Sequence, residues 1–414
     1  MNFLQKPRGV KDWFGDELVY FNWIVKKIRS LAFNWGFSEV KTPLFENAQL
    51  FQRSNANADI VQKELYQFFD KSQRELALRP EATTPIVRLA CENKLMQEAN
   101  FPLKLFCIGS MYRYERPQNN RFREHWQFSC EVFGFSNLFI FLDTLLFANS
   151  LLEALGITGY VLKINNLANF ETLSKWNKAL KDYLTPYKLE LTELSQKRLE
   201  KNPLRILDDK IDQKKSFVKN APKITDFLDA SAKQDSELLK TQLKKHNISF
   251  EWTDNLVRGL DYYTGFVFEY VKNQDTILAG GVYDNLVEEL SSNPTPALGF
   301  ACGIERLINC LEIDKKAFIL NTKPKQMLVI CLFEEALEEL VWLAKLWREY
   351  NQVTIYPKVI KVDNGIRLAN RLGYTFIGIV GKTDFDKKAI TIKNLVSKQQ
   401  TIYTWNELGE RNVF

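Results

Sequence analysis

Histidine is scarce in this chain. Of 414 residues only His125 and His246 are histidine, which excludes a multi-histidine metal site. The six cysteines, Cys91, Cys107, Cys130, Cys302, Cys310 and Cys331, include no C-x-x-C pair. That argues against a structural zinc site, and their apolar neighbours point to buried, reduced thiols. No G-x-x-x-x-G-K-[ST] sequence is present, and no G-x-G-x-x-G follows a strand. A nucleotide bound here must therefore be held by arginines rather than by a glycine-rich phosphate loop. The opening residues MNFLQKPRGVKDWF lack the apolar stretch of a secretory signal. The longest apolar run, Asn137 to Ala154, is interrupted by Asp143, Asn149, Ser150 and Glu153. It reads as a core helix ending before Gly156, not as a membrane span. We expect a cytoplasmic protein with no membrane partner.

What is present is the composition of a folded protein: 45% hydrophobic and 26% charged residues. The length calls for two or three domains. A net charge of +6 permits an RNA partner without arguing for one. Helical spacing runs from Asp16, as N-cap, to Trp35, with Gly36 as the stop. A strand at Leu76 to Arg79 leads into a helix from about Thr84 to Leu95. Two apolar-aromatic segments flank the polar stretch ERPQNNRFREH and predict a long hairpin. Residues 170–247 are Lys-rich and helical in pattern, which marks an inserted unit. Strand patterning returns at Gly265 to Val271. PALGFACGIERLINCL then reads as a buried strand entering a helix. After a soft boundary near Asp314 to Lys325, strands and helices alternate, as in a small α/β domain.

Four segments combine arginine, carboxylate and glycine where an ordinary core would not. In LRPEATTP, Glu81 follows a strand-ending proline and could receive an ammonium group. The hairpin loop holds Arg113, Glu115, Arg116, Arg121 and Arg123, whose guanidinium forks suit phosphate oxygens as well as a solvated tip. Arg113 lies in the aromatic strand MYRYE, where an unanswered charge is costly. Its partner is Glu115, Glu131 or a ligand phosphate. VRGLDYYTG places Arg258 before a glycine and two tyrosines, as a ligand pocket or a tyrosine-rich turn would. AGGVYDNL and GFACGIERL let backbone approach a ligand closely. Arg306, at the start of a helix, opposes the helix dipole and so favours an anionic partner.

Taken in order, these segments resemble the class II aminoacyl-tRNA synthetases, and among them the histidyl-tRNA synthetase family. PRGVKD resembles the opening motif, and NADIVQKELYQFFD (Asn57 to Asp70) a histidine-family loop. LRPEATTPIVR resembles LRPEGT…R, with Ala82 in place of glycine. MYRYERPQNNRFREHWQFSCEVFG resembles motif 2, and ALGFACGIERL motif 3. RGLDYYTG and AGGVYDNL resemble two histidine-specific motifs. The resemblance implies an α+β fold: a class II synthetase-like antiparallel sheet flanked by helices over residues 1–320, with the helical insertion at 170–247. An α/β anticodon-binding domain at 325–414 would follow. It implies histidine, ATP with Mg2+, and tRNA(His) as partners, and a homodimer. Glu81, Thr83 and Gln127 would hold the histidine ammonium. Glu131 and Tyr263 would meet the two imidazole nitrogens, with Tyr283 closing the pocket. Arg258 would grip the carboxylate and α-phosphate, and Arg113 the α-phosphate. Arg121 and Arg306 would anchor the outer phosphates. His125 and Trp126 stand where the family has phenylalanine and histidine, so His125 would stack on adenine. Arg116, Gln118 and Arg123 would approach the tRNA acceptor end. The C-terminal stretch DNGIRLANRLG departs from the family pattern and yields no anticodon contacts. An inactive relative serves as a regulatory subunit of ATP phosphoribosyltransferase. It lacks the C-terminal domain and tends to lose the catalytic arginine, so Arg258 and the residues after motif 3 favour the enzyme.

Overall fold

The computed structural model describes residues 4–54, 61, 63–116, 121–260, 262–291, 293–322 and 325–413. The chain divides into two compact units, Met1–Asp314 and Lys315–Phe414. The division follows Asp314, at the start of the soft boundary read at Asp314 to Lys325, and helix Lys315–Thr322 belongs with the second unit. Much of the loop from Asn57 lies outside the described residues.

In the first unit the strands are β1 (Ser38–Glu39), β2 (Phe45–Asn47), β3 (Gln67–Phe69), β4 (Glu75–Leu78), β5 (Leu103–Tyr112), β6 (Glu124–Phe133), β7 (Val161–Asn166), β8 (Phe250–Trp252), β9 (Thr264–Lys272), β10 (Asp275–Val282) and β11 (Ala297–Gly303). Eight form one sheet in the order β1-β5-β6-β11-β10-β9-β7-β8. Its middle is antiparallel, as the sequence implied. The outermost pairs, β1 with β5 and β7 with β8, are parallel, so the sheet is mixed. Strands β2, β4 and β3 make a small separate sheet.

Strand periodicity explains where the cavity lies. On β6, Phe128, Cys130 and Val132 face one side, and Gln127, Ser129 and Glu131 the other. The first side packs under helix Leu138–Ala154, where Phe147 meets Phe128 and Phe300 while Phe141 stacks on Phe266. Asn137 caps that helix through its side chain, and the helix ends just before Gly156, as the sequence predicts. On the other side, Gly299, Ala301 and Gly303 of β11 pair with Glu131, Ser129 and Gln127. Ala279 and Gly281 of β10 continue that row of small residues. Small side chains on this face leave an open floor.

The first helix spans Gly15–Asn34 and buries Tyr20, Phe21, Ile24, Val25, Ile28 and Ala32. Phe14, not Asp16, occupies its N-cap position; Asp16 sits in the first turn, where its charge complements the helix dipole. The insertion folds around Phe170–Leu184, Glu193–Lys201 and Ala230–Lys245. Its apolar side chains Trp176, Leu180, Leu184, Leu199 and Ile206 form one cluster with Leu167, Leu256, Val257 and Val267 from outside it. In the second unit, β12 (Gln326–Cys331), β13 (Gln352–Ile355), β14 (Phe376–Val380), β15 (Ala389–Asn394) and β16 (Gln400–Thr404) form a sheet in the order β13-β12-β14-β15-β16. Helices Ala336–Trp347 and Trp405–Glu410 cover one face and Val362–Leu372 the other. Among the described residues no helix is long and apolar enough to cross a membrane.

Trp176 is fully buried, and its indole N–H donates to the Pro222 carbonyl at 2.7 Å. Trp176→Ala should cost about 3–5 kcal/mol through the cavity it leaves. A shift of the denaturant midpoint of a probe in the insertion checks this. An unchanged midpoint would show that Trp176 is not packed in that core.

Candidate active site

A cavity of about 310 Å³ opens over the row of small residues. Of the residues singled out from the sequence, Glu81, Thr83, Arg113, Arg121, His125, Gln127, Arg258, Tyr263 and Arg306 line it. Glu131 and Tyr283 stand just behind its wall, buried. Arg116 is exposed, and Arg123 stacks on the Tyr114 ring at 4.1 Å. Neither is part of the cavity lining. Gln118 lies outside the described residues.

Glu131 is held in place by the sheet. Its neighbour across β11 is Gly299, where an added methyl group would come within 2.1 Å of Glu131 Oε2. The Thr83 hydroxyl donates to Oε1 at 2.7 Å, and the Tyr283 hydroxyl to Oε2. Even so, burial pushes Glu131 up to about 8. When ionised, the carboxylate has four lone-pair positions, so two hydroxyl partners leave acceptor capacity on each oxygen. Tyr263 is pushed up to about 12, by burial above all, and keeps its proton at neutral pH. Its ring lies 6.4 Å from that of Tyr283.

Glu81 ends the loop after β4, where its carboxylate accepts from the Thr83 and Thr84 backbone N–H groups at 2.6 and 2.9 Å. These N–H groups lie in the first turn of helix Thr83–Glu92, which offers them no acceptor of its own. Beside it, Arg79 is wholly structural. It is buried and donates to the Thr42 carbonyl, the Thr42 hydroxyl and the Ser110 carbonyl at 2.8–3.0 Å. Gln127 donates to Ser129 at 2.8 Å.

The opposite end of the cavity is positive. Arg113 Nε donates to the Pro80 carbonyl at 2.9 Å. Among the described residues it has no carboxylate partner, so neither Glu115 nor Glu131 answers its charge. Arg121 pairs with Glu115 at 3.3 Å, and Arg306 donates to the Thr276 carbonyl. Burial, then the nearby charge of Arg121 and that of Arg113, holds Arg306 below the ordinary arginine range. His125 lies on β6 opposite Met111, not in the loop where the sequence pattern put it. Burial and the charges of Arg113 and Arg306 hold it down to about 3, so its imidazole is neutral at any physiological pH. Trp126 faces the other way. Its ring meets Phe21 edge-on at 5.0 Å, and its backbone N–H donates to the buried Glu305 carboxylate at 2.9 and 3.1 Å.

Arg258 forms an ion pair with Glu269 on β9, which also accepts from the Thr276 hydroxyl at 3.0 Å. The Arg258 Nε is buried without a hydrogen-bond partner among the described residues. Glu269 was missed in the sequence. Its signal was a carboxylate at the centre of the apolar strand GFVFEYV, opposite Ala279 on the cavity side. Glu305 was missed too, because it is hidden in motif 3 beside Arg306.

Since Glu131 is raised in the fold, it contributes stability below about 4.5 that is lost as pH rises through about 8. Glu131→Gln removes that titration. The wild type should therefore lose stability relative to Glu131→Gln between pH 5 and 9, as read by parallel urea titrations. Parallel pH profiles would mean that Glu131 is not shifted.

A family model described as histidyl-tRNA synthetase matches residues 9–307. The histidine–tRNA ligase of Mycoplasma pneumoniae is 60% identical over 413 residues, covering 100% of both chains. That of Malacoplasma penetrans is 40% identical, covering 99% of this chain and 97% of its own. Among solved structures, apo histidyl-tRNA synthetase from S. aureus superposes with a TM-score of 0.80 at 28% identity, covering 99% of each chain. A Bacillus halodurans protein described as an ATP phosphoribosyltransferase regulatory subunit/histidyl-tRNA synthetase shares the fold, with a TM-score of 0.65 at 19% identity. The full-length relatives are ligases, which leaves the regulatory-subunit reading the weaker one. With its motifs in order and this match along its length, the chain belongs to the histidyl-tRNA synthetase family of aminoacyl-tRNA ligases.

Proposed function

We propose that this cavity joins histidine to ATP and then passes the histidine to the 3′ end of tRNA(His). What carries the reading is the division of one cavity into two ends. One end holds the protonated Tyr263, with Glu131 buried behind Thr83, and the other holds Arg113, Arg121 and Arg306 around a neutral His125. Glu131 and Tyr263 would meet the two imidazole nitrogens, with Tyr283 and Thr83 fixing Glu131. An analogue lacking those nitrogens would leave buried polar groups unpaired, a discrimination on the order of 10⁴-fold. Glu81, Thr83 and Gln127 would receive the α-ammonium. A carboxylate oxygen of histidine then attacks the α-phosphorus, and pyrophosphate leaves. Arg113 and Arg258 face the charge that develops on that phosphorus, and Arg121 and Arg306 the departing phosphates. His125 would stack on adenine.

In the second step a ribose hydroxyl at the tRNA 3′ end attacks the histidyl carbonyl, and AMP leaves. Arg116, Gln118 and Arg123 would serve that step. Magnesium enters with the nucleotide. Glu115 and Glu269 each already answer an arginine, and Glu305 accepts from the Trp126 backbone N–H. Among the described residues no group of three or more His, Cys, Asp or Glu could hold a metal ion by itself. A homodimer working in the cytoplasm is part of the same proposal and rests on the family resemblance.

ATP–pyrophosphate exchange with each of the twenty amino acids tests the reading. Exchange should depend on histidine alone; none with any amino acid would favour a regulatory role instead. Arg258→Ala should lower exchange by roughly 100- to 1,000-fold, the loss of about 3–4 kcal/mol of charge stabilisation. Activity within tenfold of wild type would contradict its assignment. Arg116→Ala should slow transfer to tRNA more than activation, as single-turnover kinetics would show; equal losses would remove the loop from tRNA binding.

A further inference from the structure

Val257 to Tyr263 carries two of the groups assigned above, Arg258 and Tyr263, yet its described residues form no helix or strand. This loop is held from two sides: Tyr262, with Leu260 and Tyr263 against it, packs with Ala82 and Tyr283 of the catalytic core, and the insertion holds the other side. Leu256 and Val257 are buried in the same apolar cluster as Trp176, Leu199 and Ile206, and Tyr263 packs against it. Two residues after Val257, Arg205 of the insertion lies against Gly259, where an added methyl group would meet its Nη1 at 3.4 Å. That nitrogen donates to Asp208 at 2.7 Å. Arg198 braces the pair, donating to the Arg205 carbonyl at 3.3 Å and to Asp209 at 3.2 Å. A second cavity, of about 280 Å³, lies between the two elements. Asn202 and Arg205 line it from the insertion, and Arg258, Leu260 and Tyr263 from the loop. Burial raises Asp208, while the charges of Arg205, Arg198 and Arg258 pull it back down, so Asp208 and Arg258 attract each other.

We propose that Arg205 and Asp208 are positioning residues for Arg258, so that the insertion is part of the activation machinery. The proposal rests on the role given to Arg258 above. Glu269 reaches the Arg258 guanidinium from the sheet, and Tyr262 anchors the far end of the loop in the core, but neither touches the backbone at Gly259. A loop without ladder hydrogen bonds has many conformers, and each residue confined to one costs about 1–2 kcal/mol. Arg205 confines it by filling the space beside Gly259, and the Asp208 carboxylate holds Arg205 there. Together they fix where the Arg258 guanidinium meets the reacting phosphorus, a place where a shift of about 1 Å can cost roughly 100-fold.

The test is histidine-dependent pyrophosphate exchange by the full chain, comparing wild type, Arg205→Ala, Asp208→Asn, Arg258→Ala and the double variant Arg205→Ala/Arg258→Ala. Arg205→Ala should lower kcat by roughly tenfold or more while KM for histidine stays within about threefold. The double variant should be no slower than Arg258→Ala alone, because residues acting through one group are non-additive. Losses that multiply in the double variant, or an unchanged kcat for Arg205→Ala, would overturn the proposal. Should Arg205→Ala fail to fold, Asp208→Asn keeps the side-chain shape and must show the same selective loss of kcat; full kcat there overturns it equally. A wild-type chain without exchange would instead sink the reading of the cavity, and this proposal with it.

Discussion

A charge taken out of water has to be answered, and this site is organised by which charges the protein answers itself. Arg79 is satisfied by backbone carbonyls and a threonine hydroxyl. Arg258 is paired with Glu269, and Arg121 with Glu115. Arg113 and Arg306 have only carbonyl partners among the described residues. Their charges bear on each other and on His125. That surplus of positive charge sits in a cavity floored by glycine and alanine, which suits a polyanion. Burial first, and then that surplus, keeps His125 neutral, so its imidazole adds no charge to the cavity.

The sheet supplies the precision. Antiparallel pairing of β6 with β11 sets Glu131 directly across from Gly299, so the carboxyl rests on backbone where any side chain would displace it. The apolar half of the same alternation, Phe128, Cys130 and Val132, is buried beneath a phenylalanine-rich helix. Site and core are thus two faces of one strand, and neither can shift in register without the other. The Arg258 loop has no such ladder, which is why its anchors in the insertion matter.

Elements with one apolar face were legible in the sequence. The spacing of Phe21, Val25, Ile28 and Ala32 marked the first helix, and the alternating strands and helices after residue 325 marked the second unit. Local capping was less so: Asp16 looked like a cap but lies within the first turn, because the chain enters the helix through an extended Phe14. The start of β6 was read as loop because its inward residues are polar. Polar alternation there marks a strand only once the inner face is known to line a cavity. Strand β16 was missed for a related reason, being mostly exposed and polar at a sheet edge. Most site residues came from ordered motifs rather than from periodicity. Glu269 and Arg205 belong to no such motif, and only tertiary packing brings them to Arg258.

The central claim is that one pocket grips an imidazole at both nitrogens while arginines hold the phosphate being cut. A crystal structure with histidinol and ATP bound tests it most directly. The account places the imidazole between Glu131 and Tyr263 and the α-phosphate against Arg113 and Arg258. A ring bound elsewhere, or those four side chains turned away from a shared ligand, would contradict it.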